Sequence, residues 1–130
     1  MRRTNVILVI LATTAVAVAA GQRSKGKTLT AAEAKDHIGE QATVCGTVVN
    51  AHYASSTRGQ STFLNMDAAH PNQVFSIVIR MSARSNFVDP KKRYIGKQVC
   101  ITGLIRSYRG ASGIVASSPE QIKEQPTGAK

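Results

Sequence analysis

Three histidines and seven carboxylates are spread through this 130-residue chain, which also carries two cysteines, and their spacing matches no familiar catalytic arrangement. His37, His52 and His70 show no paired metal-ligand spacing, so a zinc site is not expected. Asp67 and Asp89 stand alone, Glu33, Asp36 and Glu40 belong to one leading segment, and Glu120 and Glu124 follow the last apolar run. Holding Ca²⁺ for phosphodiester cleavage needs clustered carboxylates, and this pattern offers none. Cys45 and Cys100 lack the CxxC spacing or neighbouring His of a redox or nucleophilic centre. No Gly-rich phosphate loop is present, and no Ser has an identifiable base. The sequence reads as a non-enzyme without metal or cofactor.

Cations and aromatics carry the remaining chemistry. The chain has 17 Lys and Arg against 7 Asp and Glu, a formal +10, and most of the excess falls in one stretch. Between residues 80 and 109 lie Arg80, Arg84, Lys91, Lys92, Arg93, Lys97, Arg106 and Arg109 against the single acid Asp89. A one-sided field of this kind concentrates polyanions such as nucleic acid, anionic headgroups or acidic polysaccharide. The bland alternative is a solvated surface that aids solubility.

These residues need elements to hold them, and the length allows one domain. Residues 1–20 are set aside as an export signal: Arg2 and Arg3, an apolar stretch over 6–18, then Ala17-Val18-Ala19-Ala20 as a cleavage site. The apolar run is short and Ala-rich for an uncleaved membrane anchor, which is the competing reading. The mature product is therefore expected to be periplasmic or secreted. Residues 21–28 read as a flexible basic leader, 29–124 as the domain and 125–130 as a disordered tail. Thr30 and Glu33 have capping-box spacing, Ala34 and Ile38 share a helical face, and Gly39 supplies a stop, which predicts a short helix over 31–38. Strands are predicted over 42–53, 62–67, 73–80, 98–108 and 113–117, with a long connection over 81–97 that has room for a turn or two of helix near 82–87. Ser118-Pro119-x-Gln121 starts a terminal helical turn.

Three strands, a long connection and a two-stranded hairpin predict an all-β domain, a five-stranded Greek-key OB-fold barrel with short N-terminal and connecting helices. Residues 38–122 resemble the small exported bacterial proteins built on a single nucleic-acid-binding-type OB-fold. The stretches that carry this are VCGTVV at 44–49, YASSTRGQSTFLNMD at 53–67, PNQVFSIVI at 71–79, GKQVCITGLI at 96–105, and YRG at 108–110 followed by SSPEQI. The chain departs from the family pattern at Arg80-Met81, where a Trp is common, and at Ser112-Gly113-Ile114. In such a barrel strands one and four pair antiparallel, so Cys45 and Cys100 fall on facing strands. A disulfide is expected in an oxidising compartment, two buried reduced thiols being the other use.

The resemblance also implies a site, because OB domains bind single strands on the outer face of strands two and three, stacking bases on aromatics and tracking phosphates with Arg and Lys. Alternation turns Leu64, Met66, Phe75, Ile77 and Ile79 inward and Phe63, Asn65, Asp67, Ser76, Val78 and Arg80 outward. Phe63, Asn65 and Arg80 would form the platform, with Tyr53, Arg58, Tyr108 and Arg109 at its rims and Arg106, Lys91, Lys92 and Arg93 as further cations. A register slip of one residue would instead bury Phe63. Two functions stay open: binding of nucleic acid or another polyanion, and a structural or interaction module for a protein, peptide or saccharide.

Overall fold

Alternation along residues 41–53 builds one long strand, β2 (Gln41–Tyr53), which buries Ala42, Val44 and Val48 and serves two partners in turn. Its first half pairs antiparallel with β5 (Gln98–Tyr108), from Gln41 opposite Leu104 to Thr47 opposite Gln98. Its second half pairs antiparallel with β3 (Thr62–Met66), and the register shifts between Val48 and Asn50. A bulge at such a point bends the strand and lets one chain segment belong to two sheets. Gly46 sits beside the bend because a Cβ there would come within 2.9 Å of both Asp67 Oδ1 and the Met66 methyl. Asp67 uses that space to accept a 2.9 Å hydrogen bond from the Thr47 N–H.

The computed structural model describes residues 26–70, 72–108 and 110–126. β4 (Phe75–Ile79) pairs antiparallel with β3 and parallel with β6 (Ala111–Val115), and β6 returns antiparallel to β5. The pairings thus run β2, β3, β4, β6, β5 and back to β2. The fold is all-β. Leu64, Met66, Phe75, Ile77 and Ile79 are fully buried, as alternation predicts, together with Val44, Val48, Val99, Ile101, Ile105 and Ile114. Every residue of this core cluster lies between Leu29 and Ile122.

Cys45 and Cys100 are direct partners across β2 and β5, 4.0 Å apart at Cα, and form a disulfide. Closing a 55-residue separation stabilises the fold by about 4 kcal/mol in the chain-entropy view.

Two strands are not anticipated by the sequence pattern. β1 (Thr28–Thr30) pairs parallel with β2 and β7 (Ile122–Glu124) antiparallel with β5, so each edge of this side carries a three-residue strand. Thr28 therefore belongs to the domain and not to the leader. Gln125, assigned to the tail, is likewise tied down: its N–H donates to the Gln98 carbonyl and its side-chain amide to Cys100 Sγ. Both strands are too short for alternation to show.

The predicted first helix is a 3₁₀ turn at Glu33–His37, and the Thr30–Glu33 capping box forms in both directions, at 3.1 and 3.2 Å. The long connection holds a 3₁₀ turn at Met81–Asn86 and a short α1 (Pro90–Tyr94), two pieces that the sequence pattern does not separate. Asp89 caps α1 and Pro90 opens it, while buried Phe87 and Tyr94 fasten the connection to the core. Ser118-Pro119 starts a 3₁₀ turn as predicted, and the Gln121 amide cross-links it by donating to the carbonyls of Thr102 and Val115.

Residues 1–20, expected as an export signal, most of the expected leader and residues 127–130 lie outside the described residues. Among the described residues, no helix is long and apolar enough to cross a membrane.

Candidate ligand-binding face

The outward residues of β2, β3 and β4 form rows across the sheet because neighbouring strands are in register. Asn50, Asn65 and Ser76 stand opposite one another, and Asn65 links them: its amide donates to Asn50 Oδ1 at 2.9 Å and its carbonyl accepts from Ser76 Oγ at 2.8 Å. Asn65 is fully buried. It is therefore the floor of the face and not the exposed platform residue that alternation suggests. The next row sets His52 opposite Phe63 and Phe63 opposite Val78. Phe63 is partly exposed and faces outward, so the register slip that would bury it does not occur.

A cavity of about 270 Å³ opens on this face, with Phe63, Asn65 and Ser76 along its floor, His52 and His70 on one wall, and Gln73, Tyr108, Ala111 and Ser112 around the rest. The two imidazoles stack in parallel, ring centres 4.9 Å apart and planes 3° from coplanar. Tyr108 reaches the cavity by lying across β6 at Gly113. An added Cβ at Gly113 would meet the Ser76 carbonyl at 2.7 Å and the Tyr108 ring at 3.2 Å. The glycine is thus what lets the ring come this close to β6. Gln73 Oε1 and the Tyr108 hydroxyl are buried, border the cavity and have no hydrogen-bond partner among the described residues. Buried polar atoms are normally paired, so these two are available to a ligand.

The cavity lining contains no Lys or Arg. Tyr108 is also a wall of a second, more open groove of about 450 Å³, which it shares with Arg80, Arg106, Ile38 and Leu104. One side chain therefore borders both an aromatic cavity without Lys or Arg and a groove with two exposed guanidinium groups.

The remaining predicted site residues lie apart from the cavity. Tyr53, at the far end of β2, is covered by the Arg84 guanidinium 5.1 Å from its ring centre. Arg58 is exposed on the loop after β2 and lines neither depression. Arg93 is held by Glu124 at 3.5 Å and by the Tyr94 ring at 5.5 Å. Lys91 and Lys92 sit exposed on α1, while Arg109 falls outside the described residues.

His52, His70 and Gln73 are not picked out by the sequence pattern as site residues. Alternation from Asn50 turns His52 outward, so that residue is within its reach. His70 and Gln73 come from the turn between β3 and β4, and only the folded turn brings them over the sheet. Among the described residues, no group of three or more His, Cys, Asp or Glu side chains is arranged to hold a metal. Four ionisable groups among the described residues depart from their ordinary range, and none borders the cavity. Hydrogen bonds from Thr30 hold Glu33 below it, the His37 hydrogen bond does the same for Glu40 and the Ser118 hydrogen bond for Glu120, while burial raises the Tyr94 phenol.

No protein-family model matches the chain, and no curated protein is significantly similar to it.

Proposed function

We propose that the chain is an OB-type barrel exported from the cytoplasm, and that it binds single-stranded nucleic acid without acting on it chemically. The strand circuit β2, β3, β4, β6, β5 with its parallel β4–β6 contact supports the barrel reading. The disulfide fits an oxidising compartment.

The observation that carries the ligand class is the double duty of Tyr108, which walls both the aromatic cavity and the groove holding Arg80 and Arg106. A single strand has the matching division. Its bases offer flat rings for Phe63, Tyr108 and the imidazoles, with edge groups for Gln73 Oε1 and the Tyr108 hydroxyl. Its phosphates suit the arginines. The test is a salt titration with a single-stranded oligonucleotide, in which affinity should fall as ionic strength rises, with a log-log slope of about 0.7 per neutralised phosphate. Absence of binding at low salt would remove the proposal.

A lining of aromatic and amide groups without Lys or Arg favours one other reading, a neutral saccharide seated on the same rings. Saccharide binding that ignores salt, together with no oligonucleotide binding, would select it.

A further inference from the structure

The groove beside Tyr108 leaves much of the basic stretch unused. Lys91, Lys92 and Arg84 belong to the long connection, which carries a surface of a different kind. Val88 is 81% exposed and Met81 56%, the two most exposed large apolar side chains among the described residues. They are held outward because their neighbours are fixed: Phe87 and Tyr94 are buried in the core, and Asp89 caps α1 through the Lys92 N–H at 3.3 Å. Met81, Arg84, Phe87, Asp89 and Lys91 border one shallow depression of about 520 Å³, and Val88 is exposed in the same connection, between Phe87 and Asp89 in sequence.

We propose that this connection is a membrane-docking surface that rests on a bilayer containing anionic lipid. Met81 and Val88 would enter the interface, and Arg84, Lys91 and Lys92 would lie among the headgroups. Charge complementarity sets the class of partner, since these three cations have only Asp89 as an acidic neighbour within residues 81–97. The apolar pair decides between an anionic bilayer and a nucleic acid. A phosphate backbone gains nothing from Met81 or Val88, and both aromatic rings of this segment, Phe87 and Tyr94, are buried and cannot stack on bases. A bilayer uses both kinds of residue, because apolar side chains partition into the headgroup boundary while cations are drawn to its surface potential. Arg93 is left out of the surface because the Glu124 carboxylate offsets its charge, whereas Arg84 lies over the Tyr53 ring with no acidic partner among the described residues. The proposal does not depend on what the cavity binds.

The test uses the chain from Gly21 onward, which keeps the whole described core and the disulfide. Sedimentation with vesicles of phosphatidylcholine and phosphatidylglycerol is compared with sedimentation with phosphatidylcholine alone. Binding should require the anionic lipid and be lost in high salt. Each basic side chain at the surface contributes about fivefold, so Lys91→Gln with Lys92→Gln should weaken binding by about 25-fold. Met81→Ser with Val88→Ser should weaken it several-fold while leaving the thermal midpoint in place, since both residues are exposed. Both double variants should bind an oligonucleotide as the parent does. Equal sedimentation with the two vesicle types, no sedimentation with either, or unchanged vesicle binding by either double variant would overturn the proposal. So would a lysine variant that loses oligonucleotide binding.

Discussion

The outer face of β3 and β4 and the connection between β4 and β5 start from one another's end, at Arg80 and Met81, yet they are opposites in chemistry. The face offers aromatic and amide groups, its polar floor is hydrogen-bonded from Asn50 through Ser76, and its cavity lining has no Lys or Arg. The connection offers cations and exposed aliphatic groups, and its aromatics are spent on the core. Stacking and charge are thus divided in space although they are neighbours in sequence. At Tyr108, with Arg80 and Arg106 beside it, the two meet at the edge of the cavity. A run of positive charge in a sequence is therefore not one surface until the fold has distributed it.

The largest effect should come from the link that both regions share. Replacing Cys45 and Cys100 by Ala should lower unfolding stability by about 4 kcal/mol, read from denaturant titration. Both regions should loosen in one transition, since β2 and β5 lead into each of them. A variant that keeps its stability, or unfolds one region alone, would show the division to be deeper than proposed.

Gly113→Ala separates the regions. The new methyl would press on the Ser76 carbonyl and the Tyr108 ring, and overpacking of this kind costs about 1 to 3 kcal/mol. Oligonucleotide binding should fall with it, while vesicle binding through the connection should remain. If both fell together, the face and the connection would be one site and not two.

A finer cut runs through the face itself. Arg80→Ala with Arg106→Ala should flatten the salt dependence of oligonucleotide binding by about 0.7 for each phosphate left without its arginine. Phe63→Ala or Tyr108→Ala should instead weaken binding by roughly 1 to 3 kcal/mol per stacked base with the slope nearly unchanged. If all four substitutions move the slope alike, charge and stacking are not divided at Tyr108.

The smallest effect belongs to the capping box outside both regions. Thr30 holds the Glu33 carboxyl below its ordinary range, so its stabilising contribution is present above that range and is lost as pH falls through the lowered value. Thermal midpoints of the parent and of Glu33→Gln should therefore differ at neutral pH and converge in acid, with binding at neutral pH the same for both. A difference that grows in acid would reverse the sign.

The strands are legible because β2 and β5 alternate over much of their length, and alternation within β3 and β4 turns Phe63 outward and Ile77 inward, while β6 shows no such pattern and starts two residues before the strand expected at 113–117. The facing positions of Cys45 and Cys100 follow from the expected pairing of their strands. β1 and β7 are not legible, since three residues are too few to show a period, and Thr28 and Gln125 consequently fall outside the expected domain. The capped turn at Asp89-Pro90 is visible as a pair of residues but not as a helix start. At the site, Asn65 is expected on the right face but at the wrong depth, because alternation gives direction and not burial. Arg84 over Tyr53 and Glu124 on Arg93 join distant segments, and they occupy two residues expected to meet the ligand, which no local pattern would reveal.

The most direct measurement is a backbone amide NMR titration of the disulfide-bonded protein with a short single-stranded oligonucleotide at low salt. Shifts should centre on His52, Phe63, Asn65, Gln73, Ser76, Arg80, Arg106, Tyr108 and Gly113 and fade as salt is added, with residues 82–95 unmoved. Shifts centred on residues 82–95 with the face unmoved, or no shifts at all, would contradict single-strand binding at this face.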